Sequence, residues 1–338
     1  KMKKIYLPTK IKNKNGLDVV SLFAGCGGMD LGFANCGYNI IWANDNNEWA
    51  CETYKTNFKH KIICDDIANV DIKNIPVSDI VLGGFPCQDF SMIWKRGGIN
   101  TQRGNLYQYL VKTVENCNPK VFVAENVRGL LSANNYQAIE RIKDDFSKCG
   151  LGYNVDTQLV NFADYGVPQM RFRVLIIGTR LDLKDTLTLP EKTHDKSNYI
   201  SSKDALKDVE NVIHNNEHQN IKERTVEILK RIKPGGNFSD IPKESEYYVK
   251  GMISHVYRRL DPEKPSNTII AGGGGGTWGY HYKDPRPLTN RERARLFGYP
   301  DSFVFKGSIT EVRRQIGNSV PPIGIMPLAE RIKSFLKR

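Results

Sequence analysis

Asp18-Val19-Val20-Ser21-Leu22-Phe23-Ala24-Gly25-Cys26-Gly27-Gly28 decides the fold class of this 338-residue chain. Its first half is a short apolar run, the pattern of a strand buried on both faces. The glycines that follow supply a tight turn in which backbone can approach a ligand, and such a turn opens into a helix. The run recurs as Ile40-Ile41-Trp42-Ala43, Asp79-Ile80-Val81-Leu82, Val121-Phe122-Val123-Ala124 and Val174-Leu175-Ile176-Ile177. Helical patterns lie between, at residues 106–115 and 136–146. Strands alternating with helices predict an α/β fold with a doubly wound, mostly parallel sheet.

The character changes near Leu181. From there to about Asp284 the chain is polar, rich in Asn, Lys and Glu, and poor in strand signals. It contains Pro234-Gly235-Gly236 and the five glycines Gly272 to Gly276. A second, smaller and irregular domain is the expectation. Pro321-Pro322 then precedes an amphipathic stretch, residues 323–336, predicted to be a terminal helix. The expected organisation is 1–185, 186–306 and a returning segment at 307–338.

The formal net charge is +12. Residues 181–280 carry equal numbers of basic and acidic side chains, and the excess is steepest after residue 280. A basic balance suits a polyanionic partner such as nucleic acid, although a solvated basic surface gives the same count. Seven cysteines, all in the first half and without a Cys-x-x-Cys pair, point away from a disulfide framework or a zinc site. No metal is expected. No apolar run approaches the roughly 18 residues of a membrane helix, and no signal core follows the basic start, so a cytoplasmic protein is expected. Lys1 ahead of Met2 reads as an addition to the natural start.

Four further motifs carry chemistry. Asn44-Asp45 ends the second run, where a carboxylate can accept from ribose hydroxyls, and Asp66 follows a third, shorter run, where it could meet an adenine edge. Gly83-Gly84-Phe85-Pro86-Cys87-Gln88 places a thiol just past a strand, at the edge where such folds keep their sites. Glu125-Asn126-Val127 puts a carboxyl group just past another. Gln169-Met170-Arg171-Phe172-Arg173 alternates two arginines along an extended segment, which predicts one shared face. Each alone is as readily structural. The spacing Gly25-x-Gly27-Gly28 does not follow the dinucleotide pattern, and a dehydrogenase would give Pro86-Cys87 no role.

Together and in this order the motifs resemble the cytosine-5 DNA methyltransferase family. The resemblance continues through Arg291-Glu292-Arg293-Ala294-Arg295-Leu296 and Gln315-Ile316-Gly317-Asn318-Ser319-Val320-Pro321-Pro322, and so spans nearly the whole chain. It implies the S-adenosylmethionine-dependent methyltransferase fold, with residues 181–280 as the variable target-recognition region. It implies Cys87 as the nucleophile, Glu125 as the acid toward N3 of the ring, and Arg173, with Arg171, as the cytosine-binding arginines. The cofactor residues it implies are Phe23, Ala24, Gly25, Gly27, Gly28, Asp45, Asp66, Ile67, Pro86, Leu106, Asn318 and Val320, for S-adenosylmethionine and its product S-adenosylhomocysteine. Asn46 departs from the pattern, because an apolar or aromatic residue commonly follows the acid and packs on adenine; either Ile67 covers more of the ring or cofactor affinity is modest.

The resemblance further implies base flipping and a mobile loop at residues 88–104, with Gln88, Ser91, Lys95, Arg96 and Arg103 facing DNA. Arg258 and Arg259 are candidates for reading bases, and Arg286, Arg291, Arg293 and Arg295 for attracting phosphates. Double-stranded DNA is the expected partner of a monomeric enzyme of the bacterial or phage modification type, with a restriction endonuclease acting on the same site. A relative that methylates RNA, or a catalytically silent DNA-binding member, is the alternative.

Overall fold

A computed structural model describes residues 14–86, 106–133, 136–248, 250–251, 256–272 and 279–337. Seven strands form one sheet: β1 (Asp18–Leu22), β2 (Asn39–Asp45), β3 (Ile62–Cys64), β4 (Ile80–Gly83), β5 (Val121–Val127), β6 (Tyr153–Asn161) and β7 (Phe172–Arg180). Their order is β3-β2-β1-β4-β5-β7-β6. The first five pair in parallel, and β7 runs antiparallel to both its neighbours. From β1 the chain steps outward through β2 to β3, then returns to lay β4 on the other side of β1. The β1–β4 boundary is therefore the topological switch point, where open α/β sheets bind ligands beyond the strand ends. The mostly parallel α/β expectation holds.

The nine described helices are α1 (Gly28–Asn35), α2 (Glu48–Asn57), α3 (Leu106–Cys117), α4 (Gln137–Ser147), α5 (Ser202–Ala205), α6 (Glu223–Lys230), α7 (Asn290–Leu296), α8 (Ile309–Asn318) and α9 (Pro322–Leu336). Helix α3 buries Tyr107, Leu110, Thr113, Val114 and Cys117, and α4 buries Ala138, Ile139, Ile142 and Phe146. Both spacings make one apolar stripe, and both stripes enter the core of β1, β4 and β5. Among the described residues no helix is long and apolar enough to cross a membrane.

The chain divides into two units, at places other than the expected domain boundaries. The sheet unit comprises 14–161, Phe172–Glu191 and the described part of Ile325–Arg338. The second unit takes Phe162–Arg171 together with Lys192–Gly324. So ten residues between β6 and β7 leave the sheet unit, and 307–324, expected in the returning segment, stay with the second. Helix α9 then ties into the sheet unit, where the Tyr38 hydroxyl donates to the Ala329 carbonyl at 2.8 Å.

Among its described residues the second unit has no named strand, only isolated bridges such as Gln169 with Ser266 and Arg259 with Tyr280. Buried guanidinium groups replace ladders there. Arg259 donates to the carbonyls of Leu229, Ile232, His281 and Tyr282. Arg291 donates to those of His214, Pro300 and Phe303, and Arg295 to that of Lys207 through Nη1 and to the Asp301 carboxylate through Nε and Nη2. Arg293 is 1% exposed, and Arg286 is paired bidentately with Glu292. This corrects two expectations. Arg259 is not placed to read bases, and Arg286, Arg291, Arg293 and Arg295 are committed inside the unit rather than offered to phosphates. Arg258 is half-buried.

Beneath the glycine turn lies a buried polar chain. Asp30 of α1 is fully buried and accepts from Ser21 Oγ at 2.7 Å and from the Tyr54 hydroxyl, which also contacts His60 Nε2 at 2.6 Å. Burial raises the Asp30 carboxyl to about 6, above its ordinary value, and lowers His60 to about 4.

Two outcomes are expected. Gly178 of β7 faces Phe122, whose ring is fully buried and stacked on Phe146 at 4.4 Å; a Cβ at 178 would lie 1.9 Å from it. Gly178→Ala should destabilise by about 1–3 kcal/mol through overpacking, read by urea unfolding. Because the folded state holds the Asp30 proton more tightly than the unfolded chain, Asp30 contributes most below about pH 4, and that contribution is lost as pH rises through about 6. Asp30→Asn, compared with wild type at pH 4.5 and 7.5, should therefore gain relative stability at the higher pH by about 2 kcal/mol. His60 titrates in both proteins and cancels from the difference.

Candidate active site

The register of the sheet brings the motif ends together. Leu22 of β1 pairs with Gly83 of β4, and Gly83 pairs with Ala124 of β5. The next residues along these strands are Phe23, Gly84 and Glu125. On the far side of β5, Glu125 pairs with Leu175 and Val127 with Arg173. On the other flank, Leu22 pairs with Asn44, and Asp45 with Cys64. The ends of five parallel strands, β1 to β5, thus meet at one edge of one sheet.

Glu125 is 8% exposed. Arg173 Nε lies 2.9 Å from Glu125 Oε1, and its Nη1 donates to the Phe172 carbonyl at 2.8 Å, which fixes the guanidinium from two sides. The other carboxylate oxygen, Oε2, is 3.9 Å from where a Cβ at Gly84 would stand. That is an ordinary van der Waals separation, so Gly84 lies directly beside the carboxylate. Asn126 Nδ2 donates to the Phe85 carbonyl at 3.0 Å and fastens the segment leading to Pro86 against β5. Pro86 is exposed and Leu106 half-buried. Cys87 follows Pro86 directly in sequence; it lies outside the described residues, as do Gln88, Ser91, Lys95, Arg96, Arg103 and Gly273 to Gly276.

The glycine turn is built around Asp45. Gly25 N donates to Asp45 Oδ2 at 2.8 Å, and Asn47 N donates to Oδ1 at 2.9 Å. Burial pushes the Asp45 carboxyl up from its ordinary value, while these N–H groups act in the opposite sense. Phe23 and Gly25 have positive φ of 53° and 56°, so the chain reverses sharply on leaving β1. A Cβ on Gly25 would meet nothing within 4 Å, which leaves open space over the turn. Phe23 and Ala24 are half-buried beside it. Gly27 differs, since a Cβ there would lie 2.4 Å from the Phe58 ring. Gly27 and Gly28 are buried, at the N-cap and first residue of α1. Asp66 is exposed and caps the next turn through Ala68 N at 3.0 Å. Ile67 is 2% exposed and packed in the main core, so it has little surface to offer an adenine ring, contrary to expectation.

Arg171 and Arg173 do not share a face. Strand β7 begins at Phe172, so the alternation expected across all three residues stops there. Arg171 belongs to the second unit and is 1% exposed. It donates to the carbonyls of Ile269, Gly317 and Ser319 and stacks over Phe297 at 4.7 Å. These bonds give it a structural role, which corrects its placement among catalytic residues. Asn318 ends α8 and is exposed, and Val320 is buried; both belong to the second unit.

Sequence reading passed over three residues near the site. Asn126 sits inside a quoted motif, and its carboxamide was the signal. Arg128 is exposed and lies over the Phe172 ring at 5.8 Å. Trp49, in the first turn of α2, is 47% exposed; an aromatic shortly after Asn46 was the available clue.

Comparison with known proteins gives a consistent answer. The family model described as C-5 cytosine-specific DNA methylase matches residues 17–334. The chain is 52% identical over 328 residues to the type II methyltransferase M.NgoFVII of Neisseria gonorrhoeae, covering 95% of this chain and 87% of that protein. It is 41% identical over 340 residues to the type II methyltransferase M.BbvI of Brevibacillus brevis, covering 94% and 91%. Among solved structures, a DNA modification methyltransferase encoded within an E. coli prophage superposes with a TM-score of 0.74 at 25% identity, covering 96% of this chain and all of the other. The Dnmt2 methyltransferase of S. pombe shares the fold, with a TM-score of 0.67 at 20% identity over 95% and 98% of the two chains. With the motif ends gathered at the switch point and the family model spanning almost its full length, the chain belongs to the C-5 cytosine-specific DNA methylases.

Proposed function

We propose that this chain methylates carbon 5 of one cytosine in a short duplex DNA sequence, using S-adenosylmethionine, base flipping and a covalent thiolate step. The observation that carries the reading is the register across β1, β4 and β5, which sets the glycine turn, the segment entering Cys87 and the Glu125–Arg173 pair side by side.

The residues present fit the methyl donor. The open space over Gly25 and the exposed Asp66 accommodate a nucleoside. Each Asp45 oxygen takes one backbone N–H and keeps acceptor capacity for ribose hydroxyls. Trp49 is the candidate to cover adenine where Asn46 does not. S-adenosylmethionine supplies an electrophilic methyl group, and every other step falls to the chain. A flipped cytosine presents carbon 6 to the Cys87 thiolate. The carbon–sulfur bond forms as N3 takes a proton or a strong hydrogen bond from Glu125, and carbon 5 becomes nucleophilic. Arg173 holds Glu125 and stabilises charge on the ring carbonyl. Once carbon 5 carries the methyl group, a base removes its proton, the carbon–sulfur electrons return to Cys87, and the 5,6 double bond is restored.

The curated relatives bear type II methyltransferase names. This supports a modification enzyme of a restriction–modification system; a monomeric, cytoplasmic enzyme paired with an endonuclease that cuts the same unmethylated site completes the proposal. Arg258 remains the candidate base reader of the second unit.

The test is methyl transfer from labelled S-adenosylmethionine to unmethylated duplex DNA, with bisulfite sequencing of the product. Wild type should methylate one short motif and Cys87→Ala none; transfer to RNA alone by folded protein would overturn the DNA reading. Glu125→Gln should lower the rate about 10²–10⁴-fold while DNA binding persists. Asn126→Ala, which unfastens the Phe85 segment, should lower kcat roughly tenfold or more with donor affinity unchanged, since misplacing a reacting group slows the step rather than binding; single-turnover kinetics would show this.

A further inference from the structure

Two thiols meet at the cofactor edge of the sheet. Cys64 is the last residue of β3 and is exposed, whereas Cys51 lies in α2 and is fully buried. Cys64 is the ladder neighbour of Asp45. Cys51 Sγ lies 3.4 Å from the carbonyl oxygen of the same Asp45. Both thiols are free, and Cys64 is close enough to Cys51 to help raise its pKa. Helix α2 packs on β3 here through Cys51, Tyr54 and Ile62. The catalytic scheme uses neither sulfur.

We propose that Cys51 and Cys64 form a modification site, a dithiol that a small-molecule disulfide converts to an intramolecular disulfide, weakening donor binding through Asp45. The second clause rests on reading Asp45 as a cofactor residue.

The chemistry balances. The exposed Cys64 thiolate attacks one sulfur of the incoming disulfide, forms a mixed disulfide and releases one thiolate. Cys51 loses its proton, attacks Cys64 Sγ and expels the second thiolate. Two protein S–H bonds become one S–S bond, and two electrons leave with the reagent as two thiols. Burial pushes the Cys51 thiol well above its ordinary value. The second step is therefore slow near neutrality and quickens as pH rises.

The consequence follows from geometry. A disulfide bond is about 2.05 Å long, far shorter than a thiol–thiol contact. Closing it draws α2 toward the end of β3, with Asp45 held between. The Asp45 carboxylate fixes Gly25 N and Asn47 N, so its displacement reaches the glycine turn directly. The solvent-facing Cys64 sulfur makes the pair accessible both to the oxidising reagent and to a reducing thiol.

The experiment uses the full chain carrying Cys87→Ser, so that the nucleophile does not react, incubated with glutathione disulfide at pH 8.5. Non-reducing digestion and mass spectrometry should find one peptide pair joined through Cys51 and Cys64. Calorimetry should show S-adenosylmethionine binding weakened roughly tenfold, a change of about 1.4 kcal/mol, and restored by dithiothreitol. The same protein with Cys64→Ser should bind as the reduced form does and resist the treatment; Cys51→Ala should stop at the mixed disulfide on Cys64. Absence of the cross-linked pair, or cross-linked protein that binds as tightly as reduced, would overturn the proposal. Reduced protein that binds no donor would instead overturn the cofactor reading of Asp45, and the peptide map would still decide the thiol chemistry.

Discussion

The constraint on which the rest depends is the in-register pairing of three neighbouring parallel strands. Leu22, Gly83 and Ala124 stand level across β1, β4 and β5, so the residues that follow them emerge together. Hydrogen-bonded ladders make this alignment strict, because a slip of one residue would turn every side chain to the opposite face. Strands β1, β4 and β5 are buried almost throughout. A slip would also withdraw apolar side chains from α3 and α4. The precision of the site is thus inherited from the core: the packing that excludes other registers also fixes where Glu125 lies relative to the segment entering Cys87.

The second unit solves a different problem. With few ladders, its backbone carbonyls need donors from elsewhere, and an unpaired buried carbonyl costs free energy comparable to a lost hydrogen bond. Arginine suits this task because its fork carries five N–H groups on a flexible stem. Arg171, Arg259 and Arg291 each bond three or more carbonyls of loops far apart in sequence. Much of the basic excess late in the chain is therefore internal scaffolding. A formal charge count cannot separate this use from attraction to phosphates, because burial is invisible to it.

What sequence could disclose follows the same division. The central strands were legible because burial on both faces leaves unbroken apolar runs such as Val121-Phe122-Val123-Ala124. Strand β6 was not, because Tyr153–Asn161 is an edge strand with several polar, partly exposed positions. The order of motifs pointed to Glu125, Arg173 and Asp45, and the structure places Glu125 beside Arg173 and Asp45 under the glycine turn. It misassigned Arg171, since where β7 starts depends on pairing with β5 and β6 rather than on local alternation. Ile67 faces the core for a related reason: the direction of a side chain after a turn is set by packing, which the motif does not encode. Asn126 went without a role because its partner is the Phe85 carbonyl, a backbone atom that no residue pattern encodes.

The departure at Asp45-Asn46-Asn47 becomes coherent in these terms. The short side chain of Asp45, one methylene and a carboxylate, lets its oxygen reach Asn47 N, two residues on, a local turn that Asp and Asn make readily and the longer Glu does not. That turn delivers Asn47 to the cap of α2, where its side chain accepts from Ala50 N at 2.8 Å. The helix thus begins at once, with Trp49 in its first turn. This chain has an acid, a tight turn, a cap and an exposed indole in succession. The same local geometry explains why Asn46 can be polar: it sits in the turn, and the apolar surface arrives with the helix that the turn initiates.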